Sequence, residues 1–412
     1  MPLVIRPDEL QPGMRLHEPL VVNGRVMLQS GRELTEAEIA ALRRRYPTVG
    51  LRIADPVLDS VIEFEDDARE RQVAQVAQQR VSECMSEVHE RFSNRAALTR
   101  VDFNIVQSTV RELMEYLRSN PASAALVASC MDASSYLGTH AGNVFYLSML
   151  LGSAALDYVA SERRRQLRAK PTRPAFATDL TSLGLGAMVM DLGMLPIQHV
   201  VRTNRPLSAS EREAIRQHPN TGYEMLPETF SPVARVVVKT HHENMAGTGY
   251  PQRLPGERLH VFARIVRIAD AFDAATSVRV HRGAKSPARV LWEMALGPYQ
   301  RYYDPKLMAV FATLIQPFPI GSKLRLTDGR YAAVVKYNRR DPFDPLVIIA
   351  FDARNRLLPR LQLEGPLRLS TRPDLRIASL HGEDLSFLYR RRSTWQSTPS
   401  HTFGNPLEAA YP

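Results

Sequence analysis

His241-His242-Glu243-Asn244-Met245-Ala246-Gly247-Thr248-Gly249-Tyr250-Pro251 is the stretch from which the rest of the chain can be read. Adjacent imidazoles followed by a carboxylate suit a metal ion, and the glycines and proline behind them form a tight turn next to those ligands. Working outward, Val236 to His242 leads into the stretch as a helix. Beyond it, Ile265, Ile268, Ala269 and Phe272 share one face of another helix, which carries Asp270. Three further candidates stand on earlier helical segments. His140 opens an apolar helix, Asp191 follows Met190 in the apolar run Thr181 to Leu195, and His218-Pro219 ends a helix that Ser208 and Glu211 cap. Each has a plainer reading alone, as a cap, a paired carboxylate or a hydrogen-bonded core histidine. Together they are the ligand types for iron or manganese. A pair of such ions can activate a water and clamp developing negative charge.

The His241-to-Pro251 stretch resembles the HHExxDGxGYP signature of the HD-GYP family, bacterial phosphodiesterases of cyclic di-GMP, and departs from it at Ala246, where the family has aspartate. The resemblance covers roughly residues 130 to 315. It implies His140, Asp191, His218, His241, His242 and Asp270 as metal ligands, with Asp191 and Glu243 in catalytic roles. It also implies a substrate surface of Gly249, Tyr250, Pro251, Arg264 and Arg279. Two more departures fall inside the site: Met190 stands where the family has the histidine of its His-Asp pair, and Met194 where it has a phosphate-binding lysine. A thioether is a soft ligand that iron(II) or manganese does not select. The resemblance therefore implies one damaged metal position, that of His140, Asp191 and Asp270, and one nominally complete, that of Asp191 with His218, His241 and His242.

These losses leave three functions open: a cyclic di-GMP phosphodiesterase of reduced activity; a non-catalytic receptor for cyclic di-GMP or a related guanine dinucleotide, or an adaptor that meets diguanylate cyclase domains through its Gly-Tyr-Pro loop; and a helical scaffold with relict histidines. The cofactor expected is a divalent metal, iron or manganese, as two ions, one or none.

Composition sets outer bounds. The 412 residues are 44% hydrophobic and 23% charged, the balance of a soluble globular protein of two or three domains. Cys84 and Cys130 make neither a disulfide framework nor a zinc pattern, which suits a cytoplasmic chain. The start Met1-Pro2-Leu3-Val4-Ile5 lacks the form of a secretory signal, and the apolar stretch Val144 to Leu156 is too short to span a bilayer. The formal charge of +10 is spread over all regions, so neither a specific nucleic acid nor a membrane is expected as partner.

The fold class predicted is mainly α, an all-helical HD-type domain at 120–317 between two small modules. Residues 1–60 read as an α+β module whose helix starts at the capping box Thr35 to Glu38. Residues 61–119 form a helical connector, and its apolar stripe between Glu63 and Phe92 suits either a homodimer seam or packing on its own domain. Residues 318–392 read as a small β domain with strands at Lys323–Leu326, Tyr331–Lys336 and Leu346–Ala350. Residues 393–412 read as a disordered tail.

Overall fold

The computed structural model describes residues 3–22, 25–47, 49–54, 136–166, 177–201, 208–277, 285–338 and 340–389, with isolated positions at 76, 83, 108, 111 and 112. Apart from those positions, the 61–119 connector lies outside the described residues, as do the 393–412 tail and Arg279. The chain divides into two compact units. Among the described residues, one gathers 3–54 with 315–389, and the other holds the helices from Tyr136 to Leu314.

In the first unit, strands β1 (Leu3–Ile5), β2 (Arg15–Leu16), β3 (Leu20–Val22) and β4 (Arg25–Leu28) precede helix α1 (Glu36–Arg45) and β5 (Leu51–Ala54). Thr35 accepts a hydrogen bond from Glu38 N while Glu38 accepts one from Thr35 N, so the expected capping box starts α1. The strands pair antiparallel as β1-β5-β2 and as the β3-β4 hairpin. Later in the chain come β6 (Lys323–Leu326), β7 (Tyr331–Lys336), β8 (Leu346–Phe351), β9 (Glu364–Arg368), β10 (Ile377–Leu380) and β11 (Glu383–Asp384), forming an antiparallel sheet in the order β11-β10-β6-β7-β8-β9. Apolar runs bounded by turn residues give β6 to β8 away in the sequence, whereas β9 to β11 are short or polar and carry no such signal. The sequence draws the N- and C-terminal segments as separate modules, but in the structure they share one hydrophobic cluster. Leu3, Ile5, Leu16, Leu51 and Ile53 pack with Ile320, Ala333, Val335 and Ala350, and Val4 bridges to Ser322.

The second unit is built of helices α2 (Tyr136–Ala154), α3 (Leu156–Gln166), α4 (Thr181–Val189), α5 (Ala209–Met225), α6 (Pro232–Thr240), α7 (Val261–Thr276), α8 (Pro287–Ala295) and α9 (Pro305–Leu314). No strand occurs among its described residues. Helix α2 is apolar nearly all round and accordingly buried, with α4 and α7 packed against it. No single helix among the described residues is long and apolar enough to cross a membrane.

Two helices end differently from the sequence expectation, and both differences shape the site. The apolar run Thr181 to Leu195 is not one helix. Helix α4 stops at Val189, and a 3-10 turn, Leu192–Ile197, follows Met190 and Asp191. Pro196 has no N–H to continue α-helical bonding. Gly193 also lies so close to α5 that a Cβ on it would come within 2.0 Å of the His218 carbonyl oxygen. That approach fixes the bend and sets Asp191 against His218. Helix α5 in turn does not end at His218-Pro219 but continues through the proline to Met225.

Candidate metal centre

Pro219 explains how His218 is aimed. In an α-helix the N–H of residue 219 would bond the carbonyl of residue 215, and proline has none to give. The Ile215 carbonyl instead accepts from His218 Nδ1 at 2.5 Å. His241 is held in the same way. As the C-cap of α6 it lies among carbonyls that lack helical partners, and its Nδ1 donates to Val238 O at 2.8 Å. A carbonyl can only accept, so both rings carry a proton on Nδ1 and, when neutral, a lone pair on Nε2. The two Nε2 atoms face each other at 3.1 Å. Two lone pairs at that distance repel unless a cation or a proton lies between them.

Asp191 supplies the third ligand. Its Oδ1 stands 3.3 Å from His218 Nε2 and 3.6 Å from His241 Nε2. With His242 these residues form a group whose ligand atoms all lie within 4.8 Å of one another. Their rings crowd together, with His241 and His242 centroids 4.2 Å apart. The donor set fits a divalent ion: imidazole nitrogens that converge beside a carboxylate and, for His218 and His241, second nitrogens hydrogen-bonded as metal-bound histidines require. The electrostatics agree. Burial would raise the Asp191 pKa, but hydrogen bonds with His218 and His241 and the nearby His140 outweigh it and hold the carboxyl well below its usual range. Burial, and then the charge of His241, push His242 well below the ordinary histidine value.

The other side of Asp191 has a different character. Asp191 Oδ2 lies 3.6 Å from His140 Nε2, and Asp270 Oδ1 lies 3.2 Å from the same nitrogen. His140 Nδ1 donates to Asp273 Oδ2 at 2.5 Å, and Asn143 donates to the other oxygen of Asp273 at 2.8 Å. Burial disfavours charge on His140, yet its bonds to Asp270 and Asp273, together with the charges of Asp273 and Asp191, push its pKa well above the usual value. Asp270 also meets His242 Nδ1 at 3.4 Å and Arg267 at 3.2 Å. Met190, next to Asp191, is fully buried, and Met194 is buried on the 3-10 turn.

Not every residue singled out in the sequence faces this cluster. Glu243 is fully buried, and its two oxygens accept from the backbone N–H groups of Gln252 at 2.6 Å and Leu254 at 3.1 Å, so it anchors the loop that follows it. Arg264 is buried in a different network, with Glu162 at 2.8 Å and Asp304 at 3.1 Å. That network occupies the guanidinium that the sequence reading assigns to substrate. The Gly-Tyr-Pro loop does reach the cluster. The Tyr250 ring stacks on His242 at 4.7 Å, with the Arg216 guanidinium on Tyr250 at 5.3 Å. Gly249 is required there, because a Cβ would come within 2.4 Å of the Glu243 Cα. Burial, with Asp270 adding to it, raises the Tyr250 hydroxyl above its usual pKa. Ala246 is exposed on the loop. The sequence reading missed Asp273, Asn143, Arg216 and Arg267. For Asp273 a signal existed, since it lies one helical turn from Asp270 on the same face.

Residues 172–307 match the HD domain family. A cyclic di-GMP phosphodiesterase of Pseudomonas aeruginosa is 30% identical over 42% of this chain and 42% of its own length. A cyclic di-GMP phosphodiesterase response regulator of Xanthomonas campestris is 36% identical over 24% of this chain and 28% of its own. The HD-domain match and these relatives support the resemblance to the HD-GYP family. A 3'3'-cGAMP-specific phosphodiesterase of Vibrio cholerae is 30% identical over 29% of this chain and 23% of its own length. The alignments thus span less than half of these curated relatives. In HD-GYP terms, the namesake loop is Gly249-Tyr250-Pro251, and the histidines before it belong to the metal cluster.

Proposed function

We propose that the helical unit is a cyclic di-GMP phosphodiesterase, slowed because half of its metal centre has lost a ligand. The observation that carries this reading is the pair of Nε2 atoms of His218 and His241, aimed at one another beside Asp191. Asp191, His218, His241 and His242 would hold the ion. When bound, it supplies Lewis acidity and an activated water for attack on phosphorus. The chain's own groups do the positioning. Ile215 and Val238 carbonyls fix the imidazoles, and Glu243 holds the loop that carries Tyr250. Tyr250 and Arg216 form an aromatic and cationic wall suited to a guanine dinucleotide. The slowing follows from the place of Met190 in the family's His-Asp pair and of Met194 at the lysine position, since a charge clamp acts chiefly in the transition state.

The buried thioethers of Met190 and Met194 favour a second reading, a receptor that binds cyclic di-GMP without cleaving it, or an adaptor for diguanylate cyclase domains. One experiment separates them. The purified chain is incubated with cyclic di-GMP and manganese beside a His241→Ala variant, and hydrolysis is followed by product separation. Slow turnover that disappears in the variant supports the phosphodiesterase. No turnover in either, with a calorimetric binding signal for cyclic di-GMP, leaves the receptor. Neither turnover nor binding removes both nucleotide readings.

A further inference from the structure

Asp270 has both oxygens engaged by nitrogen. Its Oδ1 faces His140 Nε2 at 3.2 Å, while its Oδ2 is shared between His242 Nδ1 at 3.4 Å and Arg267 Nη1 at 3.2 Å. Arg267 comes from one turn earlier in the same helix, α7, and its side chain is only 24% exposed. A carboxylate that is to ligate a cation must turn an oxygen toward it. Here the second oxygen is already turned toward a guanidinium, which stays charged at any pH the protein meets.

A divalent ion at the His140–Asp270 end would therefore lie within a few ångströms of a fixed positive charge, in surroundings too buried to screen the repulsion. Asp191 Oδ2 also faces this end, while Asp273 is engaged by His140 Nδ1 and Asn143. Met190 is a fully buried thioether, with no preference for a hard ion. At the other end, Asp191 forms its ion pairs, among the described residues, with histidines alone. Both ends have acidic and imidazole ligands, but only one carries an arginine on its carboxylate.

We propose that Arg267 is a built-in counter-cation that takes the electrostatic place of a second metal ion at Asp270, so that the chain carries metal only in the His218–His241 half. The proposal rests on the metal-centre reading above, not on turnover. One consequence is that restoring a histidine at position 190 does not by itself restore the second site, because the arginine still neutralises Asp270.

The test is metal content by elemental analysis, on the full chain loaded with manganese and desalted. Four forms are compared: the wild type, Met190→His, Arg267→Ala, and the Met190→His, Arg267→Ala double variant. Wild type and Met190→His are expected to hold the same number of ions, and the double variant one more per chain. Manganese electron paramagnetic resonance gives a second readout, with isolated-ion spectra for the first two and a spin-coupled pair for the double variant. Met190→His, Arg267→Lys keeps the charge and is expected to match the wild type. If the helical circular-dichroism signal falls in the alanine variants, Arg267→Gln replaces them. An extra ion in Met190→His alone, a coupled pair in the wild type, or no gain in the double variant would each overturn the proposal. A wild type without any ion would count against the phosphodiesterase reading, while gain or no gain in the double variant would still decide the role of Arg267.

Discussion

The two ends of the cluster share Asp191, whose Oδ1 faces His218 and His241 and whose Oδ2 faces His140. At the first end, backbone carbonyls accept hydrogen bonds from Nδ1 of His218 and His241, which turns the Nε2 atoms inward. At the second, side-chain carboxylates surround His140, and Asp270 is bonded to nitrogen on both oxygens. Among the described residues, only the second end has an arginine on its carboxylate. The lesson is that having the right ligand types does not make a metal site. The partner on the far side of each ligand decides whether a cation is needed.

That contrast can be broken or sharpened by substitution. The largest effect is expected from Asp191→Asn, which removes the shared charge. Manganese affinity measured by calorimetry should fall more than about a hundredfold, beyond the roughly 10–100-fold cost of losing an outer partner. His241→Ala should come next, with loss of about a hundredfold, while His140→Ala stays within about tenfold, since only the first is a ligand in the intact half. Equal losses in these two variants would erase the distinction between the ends. Pro219→Ala should cost about tenfold in metal affinity, because the new N–H competes with His218 Nδ1 for the Ile215 carbonyl. A crystal structure of that variant should show the His218 ring turned. The smallest change is expected from Glu243→Gln, which weakens two charge-assisted bonds to the loop backbone. It should lower unfolding stability by about 1–3 kcal/mol in a denaturant titration and leave metal content unchanged.

How much of this was legible in the sequence depends on how local each cause is. The candidate ligands His140, Asp191, His218, His241, His242 and Asp270 lie near one another, since each sits on or beside a helix whose apolar face or cap is written within a few residues. The capping boxes at Thr35 and Ser208 appear as read. The break after Val189 was not legible, because it depends on Gly193 meeting the backbone of a helix that begins at Ala209. Arg264 illustrates the opposite failure. It sits near the cluster in sequence terms, on α7 with Asp270, but its position on the helix directs it to Glu162 and Asp304 instead. Arg267 is hidden in plain view, an ordinary helical arginine until its distance to Asp270 is known. The shared core of the two terminal segments has no local signature at all, since each segment looks like a complete small module when read alone.

That shared core also has a consequence for synthesis. Leu3, Ile5, Leu51 and Ile53 leave the ribosome long before Ile320, Ala333 and Ala350, the residues they pack against. At about 5–20 residues per second, the wait is on the order of tens of seconds. Throughout it the early strands lack the part of their apolar cover that β7 and β8 supply. A nascent chain stalled before residue 320 should therefore bind chaperones that recognise exposed hydrophobic segments, and release should follow once β7 and β8 have emerged.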